Sequence, residues 1–129
     1  AVEEMIRWTT PVAQFSRTAT RDYSLRGKQI KAGDTVGLMY AAANFDEEIF
    51  DAPFEFRIDR KPNRHLAFGT GPHQCLGLLL ARLEMRIFFT QFIPRIDMIE
   101  LTGPGEHLRA SFVHGFKHLP IRYRLRPAA

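Results

Sequence analysis

A glycine-rich loop around a single cysteine, followed at once by an apolar segment, constrains this chain more than any other feature. The loop spans residues 68–77 and contains Cys75, the one cysteine among 129 residues. Glycines at 69, 71 and 77 let the backbone adopt positive φ angles and approach a large flat ligand closely, because they lack a Cβ. A helix start beside the cysteine offers unpaired N–H groups and the positive end of the helix dipole. The loop therefore predicts a thiolate presented to a flat ligand.

The apolar segment, residues 76–92, predicts a long helix. Apolar side chains occupy two of its sides and leave a narrow polar strip at Arg82, Glu84 and Arg86. A helix with this pattern is expected to be buried on most sides. Pro94 is expected to end it.

The part of the chain before the loop alternates between short predicted elements. Residues 2–8 predict a helix, and the proline that follows is expected to end it by holding Thr10 extended. Residues 14–40 contain brief β-prone runs separated by turn residues and predict a small antiparallel sheet. Its buried strands are expected to contain Ile30 and residues 36–40.

Three further segments complete the predicted organisation. Residues 41–50 predict a helix in pieces, with three successive acidic residues favouring a helix N-terminus. Residues 51–68 contain two prolines among charged and aromatic residues and predict an irregular but packed connection. Residues 108–112 and 121–125 predict two strands of a terminal hairpin.

Composition limits the classes of protein and partner. Apolar residues make up 45% of the chain, which indicates a globular protein, and the net charge of +4 is a mild excess. Arg122, Arg124 and Arg126 alternate with apolar residues as the outward face of a strand does, so we expect no nucleic-acid partner. No stretch approaches the roughly 20 apolar residues of a membrane span. We therefore expect no membrane span in this segment and a cytoplasmic location.

The loop resembles the F-G-x-G-x-H-x-C-x-G loop with which cytochrome P-450 enzymes ligate haem iron. The fixed positions are occupied by Phe68, Gly69, Gly71, His73, Cys75 and Gly77. The resemblance covers this whole sequence but only the final third of a typical member. It implies an α+β fragment of the mainly α cytochrome P-450 fold, with an ExxR helix, small β-sheets, a meander, the cysteine loop, a long buried helix and a C-terminal β-hairpin. Residues 1–129 are expected to be the C-terminal haem-ligating part of one domain, with the N-terminal two-thirds absent.

This resemblance also implies a cofactor, haem b (iron protoporphyrin IX). Cys75 is implied to be the catalytic centre and the axial iron ligand, whose electron donation favours O–O cleavage. Phe68, Gly69, Gly71 and Gly77 are implied to surround the haem, and N–H groups near Leu76 and Gly77 are expected to hydrogen-bond the sulfur.

Three basic side chains are candidates for the haem propionates. His73 matches the family position that donates to a propionate. Arg17 offers a guanidinium that suits a carboxylate bidentately. His65 is a further candidate.

Glu4 and Arg7 fit the family's E-x-x-R helix motif. The resemblance implies that this pair meets a second arginine from the irregular connection in a buried, hydrogen-bonded network that locks the haem-binding core. Arg57 and Arg60 are both candidates for that member.

The substrate pocket is implied to include residues of two segments. These are Val12, Ala13 and Phe15 near the first helix, and Val113 and His114 near the end of the chain. Their apolar and aromatic character suits an apolar small-molecule substrate, although core packing explains it equally well. The resemblance favours hydroxylation of an alkane, fatty chain, terpenoid or steroid.

The resemblance implies a monooxygenase that uses O2 and electrons from a ferredoxin or another reductase. Lys61, Arg64, Arg82 and Arg86 flank the loop and predict a positive docking face. The family's oxygen-activating helix has no counterpart here, so a peroxide-using haem-thiolate relative is an alternative. The full-length chain is expected to be an enzyme and the isolated fragment to be inactive.

Two alternatives from other classes stay open on the residues alone. Cys75 activated by His73 could serve as the nucleophile of a thiol enzyme. A non-catalytic binding module, with the cysteine in a structural role, is the other alternative.

Overall fold

Four antiparallel strand pairs and three helices flank an irregular central segment in the computed structural model, which describes residues 1–127. The helices and strands, in chain order, are α1 Val2–Thr9, β1 Gln14–Thr18, β2 Tyr23–Leu25, β3 Lys28–Ile30, β4 Thr35–Met39, α2 Tyr40–Asn44, α3 Leu78–Phe92, β5 Ile96–Leu101, β6 Glu106–His107, β7 Phe116–His118 and β8 Ile121–Leu125.

The end of α1 differs from the prediction. Thr10 is not extended but left-handed, with φ 37° and ψ 69°. Its N–H donates to the Ile6 carbonyl at 3.0 Å, and its hydroxyl donates to the Arg7 carbonyl at 2.7 Å and accepts from Asn44 Nδ2 at 2.9 Å. These buried hydrogen bonds stabilise a conformation that the following proline does not favour by itself.

The predicted single sheet of residues 14–40 is two separate strand pairs. β1 pairs with β4 from Gln14 opposite Met39 to Thr18 opposite Thr35, whereas β2 pairs only with β3. Asp22, just before β2, marks the boundary between the two pairs, since its carboxylate accepts a hydrogen bond at 2.9 Å from the N–H of Ala32, which follows β3. The expected burial of Ile30 and residues 36–40 is also wrong, because these residues are half-buried or exposed, with no second layer over them among residues 1–127.

The predicted broken helix of residues 41–50 is shorter than expected. α2 ends at Asn44, and the acidic residues lie in the turn that follows it. Asp46 closes this turn, because its carboxylate accepts from the Glu48 N–H at 2.9 Å and its carbonyl accepts from the Phe50 N–H at 2.9 Å. A side chain that bonds its neighbouring backbone favours a turn over a helix.

The irregular connection is confirmed, and it forms the centre of the described chain. Residues 51–68 contain turns and bends but no helix or strand. Phe50, Ala67 and Ile6 are buried here, yet the most buried side chains are polar: Arg7, Asn44, Thr10 and Glu4. This centre is held by hydrogen bonds as much as by apolar packing.

The long helix is confirmed, but its predicted burial is not. α3 spans 15 residues, and none of them is buried by residues 1–127. Leu79 is 75% exposed, and Leu80, Leu83, Ile87 and Phe88 are also exposed. The apolar pattern of the sequence is therefore real, but the described residues cover little of it. Among these residues, the helices are too short or too polar to cross a bilayer, and the cytoplasmic location stays a prediction.

The predicted pairing at the end of the chain is wrong. Residues 108–112 form no strand, and β8 pairs with β5 instead. The reversal lies between β6 and β7, which pair with each other. Cross-strand ion pairs favour this register, since Arg122 binds Glu100 at 3.0 Å and Arg124 binds Asp97.

Candidate functional site

Cys75 lies in the wall of an apolar cavity. Cys75 is exposed and lines a cavity of about 450 Å³, which we call the Cys75 cavity. The rest of the wall is formed by α1, the segment between α1 and β1, β1, α2, the cysteine loop and α3. These elements contribute Ile6, Val12, Phe15, Tyr40, Phe68 and Met85. A soft sulfur ligand over an apolar space suits a large, flat, iron-containing ligand such as haem.

The backbone of the loop explains its glycines. Gly69 and Gly71 have φ angles of 68° and 69°, and a 3₁₀ turn spans Gly71–His73. The positive φ predicted for Gly77 is wrong, because this residue precedes α3 with φ −85°. The Cys75 N–H donates to the Phe68 carbonyl at 2.8 Å and closes the loop. A Cβ at Gly69 would come within 2.9 Å of the Tyr40 hydroxyl, so any other residue there is strained and must displace the Tyr40 side chain.

Gly69→Ala is expected to weaken this site. The substitution forces a left-handed alanine and displaces Tyr40 from the cavity wall, which together cost about 1–3 kcal/mol. Urea unfolding of the full-length protein and titration with haem measure the effect. Gly27→Ala is the matched control, because Gly27 also has a positive φ, 77°, but an added Cβ there meets nothing within 4 Å and the residue lines neither cavity. Equal behaviour of the two variants would contradict the prediction.

His73 and Arg17 meet at a second cavity next to the first. This Arg17 cavity has a volume of about 370 Å³, and Tyr40 and His73 line both cavities. Arg17 donates to the Ser16 carbonyl at 2.9 Å and lies over the Phe15 ring. An imidazole and a guanidinium beside an apolar space fit the carboxylates of a flat ligand. The structure therefore brings the two candidates to one cavity, and their contact with haem propionates stays a prediction.

His65 does not reach either cavity wall. Its Nε2 lies 2.9 Å from Glu3 Oε2, and its side chain is 2% exposed. Its ring nitrogens contact Glu3 and the Ala67 N–H, so the structure does not bring His65 together with Arg17 and His73, and its propionate contact stays a prediction.

The expected hydrogen bonds to the sulfur are not formed. Among residues 1–127, neither Leu76 nor Gly77 donates to Cys75 Sγ, since α3 begins only at Leu78, whose N–H goes to the Cys75 carbonyl at 3.3 Å. Histidine also makes no hydrogen bond with this sulfur in the described part of the chain. The thiol-enzyme alternative therefore lacks the contact with a base that it requires.

Glu4 is the centre of a buried cluster that we call the Glu4 network. Arg7 Nε and Nη2 donate to its two carboxylate oxygens at 2.8 Å each, and Arg60 Nε donates to both at 3.2 Å. Exposure is 2% for Glu4, 0% for Arg7 and 8% for Arg60. The remaining guanidinium N–H groups reach carbonyls of residues 44 and 51–55. The network therefore joins α1 to the irregular connection.

The structure distinguishes between the two candidate arginines. Arg60 contributes its guanidinium, whereas Arg57 contributes its backbone N–H, at 2.9 Å from Glu4 Oε1. The Arg57 guanidinium binds Asp51 at 3.1 Å instead. Asn63, which belongs to no recognisable sequence motif, donates to Glu4 Oε2 at 2.9 Å.

The Glu4 carboxyl has a strongly shifted pKa. Burial raises its pKa, but the hydrogen bonds from Arg7, the Arg57 backbone and Arg60 outweigh burial and lower the pKa from 4.5 to about 2. The carboxylate therefore stays charged in the folded protein at any pH above that value.

Asn44, which no sequence motif marks, links this network to the segment that leads into the cysteine loop. Its side chain is fully buried, donates to Thr10 Oγ1 at 2.9 Å and accepts from the Leu66 N–H at 2.7 Å. Its carbonyl accepts from Arg7 Nη1 at 2.8 Å. A lone asparagine after three alanines carries no sequence signal that distinguishes it from an exposed residue.

Only some of the predicted pocket residues line the Cys75 cavity. Val12 and Phe15 do, whereas Ala13 is buried at 7% exposure. Val113 bridges Val12, and the His114 N–H donates to the Pro11 carbonyl at 2.8 Å. Ala13, Val113 and His114 therefore support the cavity wall from behind, and their contact with substrate stays a prediction.

The predicted basic face is altered by one internal ion pair. Arg82 Nε and Nη2 donate to the two carboxylate oxygens of Glu3 at 2.8 and 3.0 Å. Its charge is thus neutralised within the chain. Lys61, Arg64 and Arg86 are exposed.

Comparison with known sequences identifies relatives. The family model described as Cytochrome P450 matches residues 1–118. The chain is 52% identical over 122 residues to cytochrome P450-terp from a Pseudomonas species and 44% identical over 124 residues to steroid C26-monooxygenase from Mycobacterium bovis. Each match covers 95% of this chain, but 28% and 29% of these relatives. The chain therefore spans less than a third of their length.

Solved structures agree. CYP108D1 from Novosphingobium aromaticivorans matches with a TM-score of 0.90 and 52% identity over 97% of this chain and 30% of that chain. P450 OxyD, described as involved in the biosynthesis of vancomycin-type antibiotics, matches with a TM-score of 0.92 and 39% identity over 97% and 32%. The predicted α+β fragment of a larger, mainly helical fold is confirmed.

Proposed function

This chain belongs to the cytochrome P450 family, whose cofactor is haem, and we propose that it forms the haem-ligating C-terminal part of a monooxygenase. The reaction inserts one oxygen atom of O2 into an apolar substrate. The observation that carries the proposal is the position of Cys75, exposed on an apolar cavity at the end of the family's loop. The chain's length, less than a third of its relatives, supports a part of a longer domain.

When bound, haem supplies the iron chemistry that activates dioxygen. Cys75 holds the iron through its sulfur, and the apolar cavity walls around it exclude water. His73 and Arg17 bind the propionates from the Arg17 cavity and so orient the ring. The Glu4 network fixes α1 against the segment that leads into the loop, so that the sulfur keeps its place.

The substrate is proposed to be an alkane, fatty chain, terpenoid or steroid. The apolar lining of the Cys75 cavity, with Val12 and Phe15 in its wall, supports this class. One relative is named cytochrome P450-terp and another is a steroid C26-monooxygenase, which supports hydroxylation of a terpenoid or steroid skeleton.

The electron donor is proposed to be a ferredoxin or another reductase. Lys61, Arg64 and Arg86 form the exposed positive charges near the loop, and a positive face attracts an acidic partner. Arg82 is left out of this surface, because Glu3 binds its guanidinium.

An experiment on the full-length protein tests the proposal. The purified protein is reconstituted with haem, reduced, and exposed to carbon monoxide, and a red-shifted Soret band is expected. Terpenoid and steroid substrates are then offered either with O2, NADH, ferredoxin and its reductase, or with hydrogen peroxide alone. Product formed only with the electron-transfer chain supports a monooxygenase, and product formed only with peroxide supports the peroxide-using alternative. A colourless protein inactivated by alkylation of Cys75 would overturn both.

A further inference from the structure

A second cluster of charged and aromatic side chains, half-buried except for the buried His65, lies behind the cysteine loop. It consists of Glu3, His65, Arg82 and the ring of Phe68, and we call it the Glu3 cluster. Glu3 accepts two hydrogen bonds from Arg82, and its Oε2 lies within hydrogen-bond distance of His65 Nε2. The Arg82 guanidinium lies 4.8 Å from the centre of the Phe68 ring, and the His65 ring lies 6.0 Å from it.

The contacts of His65 fix its tautomer. Its Nδ1 accepts from the Ala67 N–H at 3.3 Å, so the ring proton must lie on Nε2, which donates to Glu3 Oε2 at 2.9 Å. Burial lowers the pKa of His65 more than the hydrogen bond to Glu3 raises it, while Arg82 and Arg7 lower it further. The ring is therefore a neutral bridge between α1 and the first residues of the loop.

The cluster reaches Cys75 through one residue. Phe68 is held on its ring by Arg82 and His65, and its carbonyl accepts from the Cys75 N–H at 2.8 Å. Movement of Phe68 would therefore move the backbone of Cys75. Glu3 and Glu4 are neighbours on α1, so the same helix anchors both the Glu4 network and this cluster.

We propose that His65 is a positioning residue for the sulfur of Cys75, acting through Glu3, Arg82 and Phe68. This inference rests on the proposed function. Residues that orient a metal ligand from behind typically change metal affinity or activity 10- to 100-fold when they are replaced. His65 keeps Phe68, and with it the loop backbone, in the one arrangement that directs the thiolate into the Cys75 cavity.

The test uses His65→Phe in the full-length, haem-loaded protein. Phenylalanine keeps a ring beside Phe68 but loses the contacts with Glu3 and the Ala67 N–H. We expect the red-shifted Soret band of the reduced carbon monoxide complex to convert to an unshifted band about tenfold faster than in the unmodified protein. The reduction potential of the iron is expected to shift as well. His118→Gln is the matched control, since His118 is exposed, and it should leave both quantities unchanged.

Glu3→Gln provides a second variant in case His65→Phe does not fold. It preserves the size of the side chain but weakens both the Arg82 and His65 contacts, so the same changes are expected in the same direction. Unchanged band lifetime and potential in a folded His65→Phe or Glu3→Gln protein would overturn the inference alone. Absence of the red-shifted band from the unmodified protein would overturn the proposed function and the inference together.

Discussion

Replacement of Cys75 by alanine in the full-length protein is expected to abolish the red-shifted Soret band of the reduced carbon monoxide complex. The shift requires a thiolate on the iron, and Cys75 stands at the cysteine position of the family's loop. Cys75→His is expected to bind haem without the shift, because imidazole is a neutral ligand. The absorption spectrum of each purified variant after reduction and addition of carbon monoxide measures the effect.

Gln74→Ala is the control for Cys75. Gln74 is the exposed neighbour in the same loop, and its backbone N–H bonds to the Gly71 carbonyl at 3.0 Å whatever its side chain. This variant should keep the band. A red-shifted band in Cys75→Ala would show that another group ligates the iron, and the proposed function would then fail.

Glu4→Ala is expected to destabilise the full-length protein by about 3–5 kcal/mol, because it leaves two buried guanidinium groups without their anion. Arg7 and Arg60 keep their carbonyl acceptors but lose four hydrogen bonds to the carboxylate. Asn63 and the Arg57 backbone N–H lose one each. Chemical denaturation at neutral pH measures the free energy of unfolding. Glu48→Ala removes an exposed ion pair with Arg26 and is expected to leave that free energy unchanged.

The same residue predicts an acid-dependent loss of stability. The pKa of Glu4 is about 2 in the folded protein against 4.5 ordinarily, so its stabilising effect is complete above about pH 4.5 and is lost as the pH falls toward 2. Glu4→Gln is less stable at neutral pH and should lose less stability between these two pH values. Parallel acid denaturation curves for the two proteins would indicate that Glu4 is solvated.

The local motifs were predictable from the sequence because their spacing encodes their chemistry. The loop around Cys75, the positive φ of Gly69 and Gly71 and the Glu4–Arg7 pair all lie within short windows, where residue type determines backbone geometry. The choice of Arg60 over Arg57 was not predictable. Both arginines lie in an irregular segment without periodicity, and only the folded path of the chain shows which guanidinium turns inward.

The errors have two physical causes. The pairing of strands far apart in the sequence, such as β8 with β5, depends on which strands are adjacent in the fold. Local β-propensity does not determine this. Burial of α3 was predicted from its apolar pattern. Such a pattern indicates which sides of a helix are suited to burial, but not whether residues 1–127 pack against them. The contact of His65 with Glu3 was not predictable, because a lone histidine shows no partner in the sequence until α1 packs beside it.

The uncovered sides of α3 have a practical consequence for protein production. Leucine and phenylalanine side chains stand exposed along this helix. A contiguous exposed apolar surface of this kind favours self-association in water. A recombinant polypeptide limited to these 129 residues should therefore precipitate or form inclusion bodies as its concentration rises. Soluble yield should improve when the remaining polypeptide is synthesised together with it.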